Sequence, residues 1–309
     1  MIFSFFLSIF IKMMMRLLDW IDYDKINWSY LSDNPNAVEF LKANLDKIDW
    51  FYLSANPNAI SLLEANPDKI NWDQLSLNPN AISLLKANFD KINWCLLSKN
   101  ANAEEILKEN EDKIDWKSLC ENYSSYAISL LEKNLDKITW FVLSLNPYAI
   151  SLLEKNQNKI DWYFISENRN AISLLEENQD KIDWDLLSLN ENAVHLFNNN
   201  LDKIGWYQIS SNPNAISLLE GHQDKINWRT LSKNPNAISL LEANKDKIDW
   251  NNLMSNPSIF RYDYETMKTI KADLHEEVIA KSLHPKRIIR LIEEYGEDLV
   301  YNIYFDEYY

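Results

Sequence analysis

The chain has little of what most functional sites are built from. Its 309 residues include three glycines, Gly205, Gly221 and Gly296, too few for a phosphate-cradling loop or a flexible linker. There are two cysteines, Cys95 and Cys120. They fall at different places in the pattern described below, so they read as isolated thiols and not as a staple, and so few in a long chain suit a reducing compartment. None of the four histidines, His195, His222, His275 and His284, stands at metal-ligand spacing from a cysteine or a carboxylate. Positive charge is also in deficit. The formal net charge of -15 excludes the broad basic surface that nucleic-acid binding requires. Such an excess serves solubility first, with an acidic face for a basic partner as the alternative. No cofactor is implied.

Long apolar runs are missing as well. Residues 2–11, within MIFSFFLSIFIKMMMR, are apolar, but they amount to about half a membrane span. No basic region precedes them and no small-residue cleavage site follows. Three readings stand for this start: an apolar helix packed on the first repeat, an upstream extension with Met13, Met14 and Met15 as alternative starts, or a membrane anchor. Membrane contact is expected only through residues 1–16.

What the chain does have is tryptophan at a fixed interval. Trp28, Trp50, Trp72, Trp94 and Trp116 are 22 residues apart, and after two extra residues the spacing resumes from Trp140 through Trp162, Trp184, Trp206 and Trp228 to Trp250. Only Trp20 lies off this grid. A period in this range marks a solenoid. With Trp as position 1, the unit reads W-x-x-L-S-x-N-P-N-A-I-S-L-L-E-x-N-x-D-K-I-[N/D].

Local chemistry assigns most of these positions. Position 22 is nearly always Asn or Asp, as at Asn27, Asp49 and Asn93, which predicts a helix N-cap and a short first helix starting at each Trp. Trp and the Leu or Ile three residues on share one face of it. Position 7 is Asn in all eleven units and Pro often follows; Asn then Pro predicts the N-cap and first residue of a second helix. Position 10 is Ala in every complete unit, which predicts close approach of two backbones. Position 17 is Asn, once His222, and predicts a left-handed turn that glycine would also suit. The Trp row is expected in the core. The Asp-Lys-Ile segment, with Lys at all eleven sites, is expected to form a solvated charge ladder, with an anion-binding lysine row as the alternative. The insertion between Trp116 and Trp140 falls between the two helices and predicts a bump, not a break.

The predicted fold is therefore all-α, an α-solenoid of two-short-helix repeats with helical end caps. Residues 1–19 form the apolar N-terminal segment or cap, 20–257 the solenoid and 258–309 the helical C-terminal cap, with helices expected over residues 264–283 and 286–295. The array is expected to be one continuous superhelix without sheet, an arc on the order of 100 Å at helix-packing spacing.

The unit LSxNPNAISLLExNxDKIxW, seen at residues 53–72 and 231–250, resembles short tandem repeats of giant double-stranded DNA virus proteins. Ser282-Leu283-His284-Pro285-Lys286-Arg287-Ile288 is similar to the helix pair that often ends such chains. The resemblance implies expression in the cytoplasm of an infected host cell, or in the virion, and carries no activity.

No convergent catalytic constellation stands out, so the expectation is a non-enzymatic scaffold for protein–protein interaction. The alternative is an architectural protein whose ends make the contacts. Positions 2, 3 and 6 of the first helix point away from its Trp and Leu face and vary freely. The candidate partner-binding residues there are Tyr30, Phe51, Tyr52, Phe141, Tyr163, Phe164, Tyr207 and Arg229, residue types that interface hot spots favour. The partner is expected to be a protein. The competing reading has these side chains lying against the neighbouring repeat.

Overall fold

The computed structural model describes residues 15–264. The protein is an all-α repeat solenoid: a short helix starts at each of the eleven gridded Trp residues from Trp28 to Trp250, followed in all but the last by a second, and the described sheet is one pair of three-residue strands, β1 (Met15–Leu17) and β2 (Phe260–Tyr262). Residues 17–261 form one compact unit. Of the other unit, residues 15, 16 and 262–264 are described, where the Tyr262 and Tyr264 rings lie 6.0 Å apart. The apolar start over residues 1–14, the helices expected beyond residue 264 and the Ser282–Ile288 motif lie outside the described residues.

Each first helix begins at its Trp because the residue before it caps it. Asp49 Oδ1 accepts the amide of Phe51, and Asn71 Oδ1 that of Gln74. Thr139 and Gly205 make no such side-chain bond. Within this helix the serine at position 5 ties the repeat together. Ser76 Oγ donates to the Trp72 carbonyl (2.8 Å) and accepts the Asn93 amide (3.0 Å), joining the start of one repeat to the start of the next.

Three local expectations are corrected. First, the Asn at position 7 caps a short helix that starts at Pro only in repeats 9 and 11, at Asn212 and Asn256. Elsewhere it caps a tight turn, and throughout it joins neighbouring repeats, because its carboxamide has both a donor and an acceptor. Asn56 Oδ1 accepts the amide of Asn58, while its Nδ2 donates to the carbonyls of Ser32 and Asn34 one repeat back, both at 3.0 Å. Asn78 does the same toward Ser54 and Asn56. All these asparagines are buried, and the second helix starts later, at Ile60 and Ile82. Second, position 17 is not left-handed. Asn88 has φ -132° and ψ 52°, and its Nδ2 donates to the Leu84 carbonyl, so a side-chain bond and not backbone licence explains the residue. Third, the Trp row is half-buried and not core. The core is the Leu at position 4, the Ala at position 10 and the Leu at position 14, typified by Leu75, Ala81 and Leu85, all with no exposed surface. In seven of the eleven repeats the lysine at position 20 lies over the Trp of its own repeat, 4.4 Å from the ring for Lys91 on Trp72 and 4.0 Å for Lys137 on Trp116. In those repeats the lysine covers the tryptophan as a cation–π contact.

The insertion does leave the array unbroken. Asn122 and Asn146 keep their bonds to the preceding repeats, and the extra residues lengthen the second helix to Ser125–Lys133, capped by Ser124.

The unit of residues 17–261 is not an open superhelix, because its last repeat meets its first. Asn34 Nδ2 donates to the carbonyls of Met254 (2.9 Å) and Asn256 (3.0 Å), and Asn36 Nδ2 to that of Pro257 (2.9 Å). These are the bonds that Asn56 and Asn58 make to repeat 1. The first helix of repeat 1 packs on that of repeat 11 as its neighbours pack on one another. Repeat 11 is itself composite. Its first helix, Trp250–Met254, comes from one end of the unit and its Asp-Lys-Ile turn, residues 24–26, from the other, with Lys25 4.6 Å over the Trp250 ring. Where a second helix would follow, the Leu18 amide donates to the Ile259 carbonyl, β1 pairs with β2, and Arg261 pairs with Asp19. The off-grid Trp20 lies under Lys245, 5.6 Å from its ring. Eleven interfaces then share one full circle, a rotation of about 33° per repeat. Adjacent first helices approach most closely, so they form the inner course of the ring and the second helices the outer.

Candidate interaction surface

The eight candidate residues lie on the first helices, at the two positions left free once Leu, Ser and Trp are committed to packing and capping. Position 2 is exposed: Phe51 at 47%, Phe141 at 43%, Tyr163 at 53% and Tyr207 at 56%. Position 3 is less so, with Tyr30 and Tyr52 just over a third exposed and Phe164 half-buried. Arg229 is exposed and its Nε stands 4.0 Å from the carboxylate of Asp249.

The repeat interface brings these rings together in two groups. In repeats 1 and 2, Tyr30 stacks on Tyr52 (6.3 Å between centroids) and Phe51 meets Tyr52 edge-on (5.3 Å). In repeats 6 and 7, Phe141 lies 5.6 Å from Phe164, which meets Tyr163 edge-on at 5.1 Å, with Lys117 of repeat 5 over Phe141 at 5.9 Å. Aromatic pairs at these distances support one another, so each group is a pre-arranged apolar patch with its position-2 rings in solvent. Among the described residues no ring contact joins Tyr207 to either group, and Arg229 stands in neither.

A second feature lies on the turns after the first helices, and none of its residues was among the candidates. A groove of about 460 Å³ runs along repeats 5 to 8, lined by Tyr123, Leu145, Glu167, Arg169, Leu189 and Glu191. The Tyr123 ring stacks on Tyr148 at 5.8 Å, and both are more than half exposed. A signal for it was present in the pattern. Tyr123, Arg169 and Glu191 stand where seven of the eleven repeats have Pro at position 8, and Tyr148 stands where most have Asn at position 9. Burial pushes the Glu167 carboxyl up from its ordinary value. Burial likewise raises the Cys120 thiol; it occupies a position-5 serine slot and its Sγ lies 3.3 Å from the Trp116 carbonyl oxygen. Cys95 is exposed.

Among the described residues there is no group of three or more His, Cys, Asp or Glu side chains placed to hold a metal ion, and no helix is long and apolar enough to cross a membrane. Comparison of the chain with family models, with curated proteins and with solved structures finds no match in any of the three.

Proposed function

We propose that the protein is a non-enzymatic scaffold that binds a protein partner through the variable positions of its first helices. The observation that carries this reading is the gathering of exposed aromatic rings into two patches, Tyr30 with Phe51 and Tyr52, and Phe141 with Tyr163 and Phe164, at positions the fold does not otherwise use. Rings held by their neighbours lose little freedom on binding, which favours them as anchors. Tyr207 and Arg229 extend the surface along repeats 9 and 10. Ring closure also favours this reading over the architectural one, since the two ends of the repeat array are bonded to each other. The resemblance of the repeats to those of giant-virus proteins puts the partner in an infected host cell or a virion.

The test is paired affinity purification from infected cells, with wild type and Tyr163→Ala/Phe164→Ala as baits and mass spectrometry as the readout. A partner retained by wild type and lost by the variant, with melting temperatures within a few degrees, supports the surface. Recovery of the same proteins by both baits, or unfolding of the variant, removes it.

A further inference from the structure

The groove along repeats 5 to 8 stands apart from the aromatic patches and does not depend on their role. Its local chemistry has three parts. Tyr123 offers an exposed ring face at one end, backed by the stacked ring of Tyr148. Leu145 and Leu189 supply apolar walls. The carboxylates of Glu167 and Glu191 line it with Arg169, and among the described residues none of these three charged groups has an ion-pair or side-chain hydrogen-bond partner. This contrasts with the neighbouring turn, where Lys99 and Glu121 neutralise each other at 2.9 Å.

Three residues that line the groove, Tyr123, Arg169 and Glu191, depart from the repeat, and Tyr148 behind Tyr123 is a fourth departure. An Asn at position 9 normally bonds the carbonyl one repeat back, as Asn58 does to Pro35 and Asn170 to Pro147. Tyr148 gives up that bond for a stack on the Tyr123 ring and remains 57% exposed. A half-buried carboxylate without a partner is unfavourable for the fold. A half-buried, unpartnered carboxylate in a groove that also presents an exposed aromatic pair points to a ligand.

We propose that the groove binds a basic segment of a partner peptide, with one arginine or lysine seated between Glu167 and Glu191 and a second laid on the Tyr123 ring. The charge balance selects this occupant: two carboxylates against one guanidinium, on a chain with a net charge of -15. The carboxylates suit a guanidinium or ammonium at one end of the groove, and the aromatic face suits a second at the other. Arg169 is left to meet a main-chain carbonyl of the same peptide.

The test uses the full chain and a fluorescein-labelled peptide, Gly-Arg-Gly-Arg-Gly, followed by fluorescence anisotropy. The citrulline counterpart is the neutral isostere, and the glutamate counterpart reverses the charge. The proposal expects saturable binding of the arginine peptide, with citrulline at least tenfold weaker. Glu167→Gln and Tyr123→Ala should each lose at least tenfold, and Glu64→Gln, on an exposed site in repeat 2, nothing. Tyr148→Asn restores the consensus residue, so its folding is secure, and it should also weaken binding. Equal binding of the citrulline peptide, preference for the glutamate peptide, equal loss from Glu64→Gln and Glu167→Gln, or no saturation would each overturn the assignment.

Discussion

Removing the Asn78 carboxamide breaks three hydrogen bonds at once, from the amide of Asn80 and to the carbonyls of Ser54 and Asn56, of which the last keeps the Ala59 amide. Asn78→Ala should therefore cost about 3 kcal/mol, taking each buried bond as roughly 1 kcal/mol. That exceeds the typical cost of about 1 kcal/mol for losing an N-cap alone. Asn78→Asp separates the two roles. An aspartate caps as well as an asparagine, yet here it would aim a charge at two carbonyl oxygens. It should be at least as damaging as Ala, and rescue by Asp in urea unfolding would show that the capping role dominates. Asn88→Gly should also destabilise, by about 1–2 kcal/mol, since it deletes the bond to the Leu84 carbonyl and adds chain entropy without relieving any left-handed strain. A neutral or stabilised variant would restore the left-handed reading. The caps at Asp49 and Asn71 were readable from sequence because cap and amide are two or three residues apart. The ladder was not, because both of its acceptors lie one repeat away and appear only when the repeats stack.

Between helices, the Trp row shows how a periodic signal can be recognised and still misplaced. A first helix of four to six residues cannot bury a large ring along with the Leu at position 4, so Trp stays half-buried at its amino end and in seven repeats the lysine of its own repeat covers it. Lys137→Gln should lower stability by about 0.5–1 kcal/mol, the value of an exposed cation–π contact, and should alter Trp116 fluorescence. No change in either would make the contact incidental. The groove has its own signature in pH. Burial raises the Glu167 carboxyl above its ordinary 4.5, so the folded protein takes up that proton more readily than the unfolded chain, and the ionised group opposes folding above the folded value. Glu167→Gln should thus melt above wild type at pH 7. The difference should shrink as pH falls through the folded value and vanish below about 4.5. Thermal melts of the two proteins across that range check the sign; a variant that melts lower at pH 7 contradicts it. The aromatic patches could be proposed from sequence because positions 2 and 3 are free in a helix of this pattern. The groove itself was not legible in the sequence because its lining comes from four repeats and meets only when they stack.

At the scale of the whole array, the repeat and its helix pairs followed from the period, but the shape did not. Curvature is the sum of eleven small rotations, each set by side-chain reach across an interface, and a few degrees per step separate an open superhelix from a circle. The one local hint was that the Asp-Lys-Ile segment at residues 24–26 precedes the first gridded Trp with no repeat of its own to complete, while the unit starting at Trp250 lacks that segment. Closure makes a specific statement about energetics. Terminal repeats of an open solenoid have one neighbour and fray, whereas every repeat of a ring has two. Native-state hydrogen exchange of the full chain reads this directly. The closed array predicts that the amides of Leu31, Asn34, Ala37 and Leu41 in repeat 1, and of Leu253 and Asn256 in repeat 11, exchange as slowly as Leu97, Ala103 and Leu107 in repeat 4, and that Asn34→Ala speeds repeats 1 and 11 together. Exchange in repeats 1 and 11 that is orders of magnitude faster than in repeat 4, and indifferent to Asn34→Ala, would contradict it.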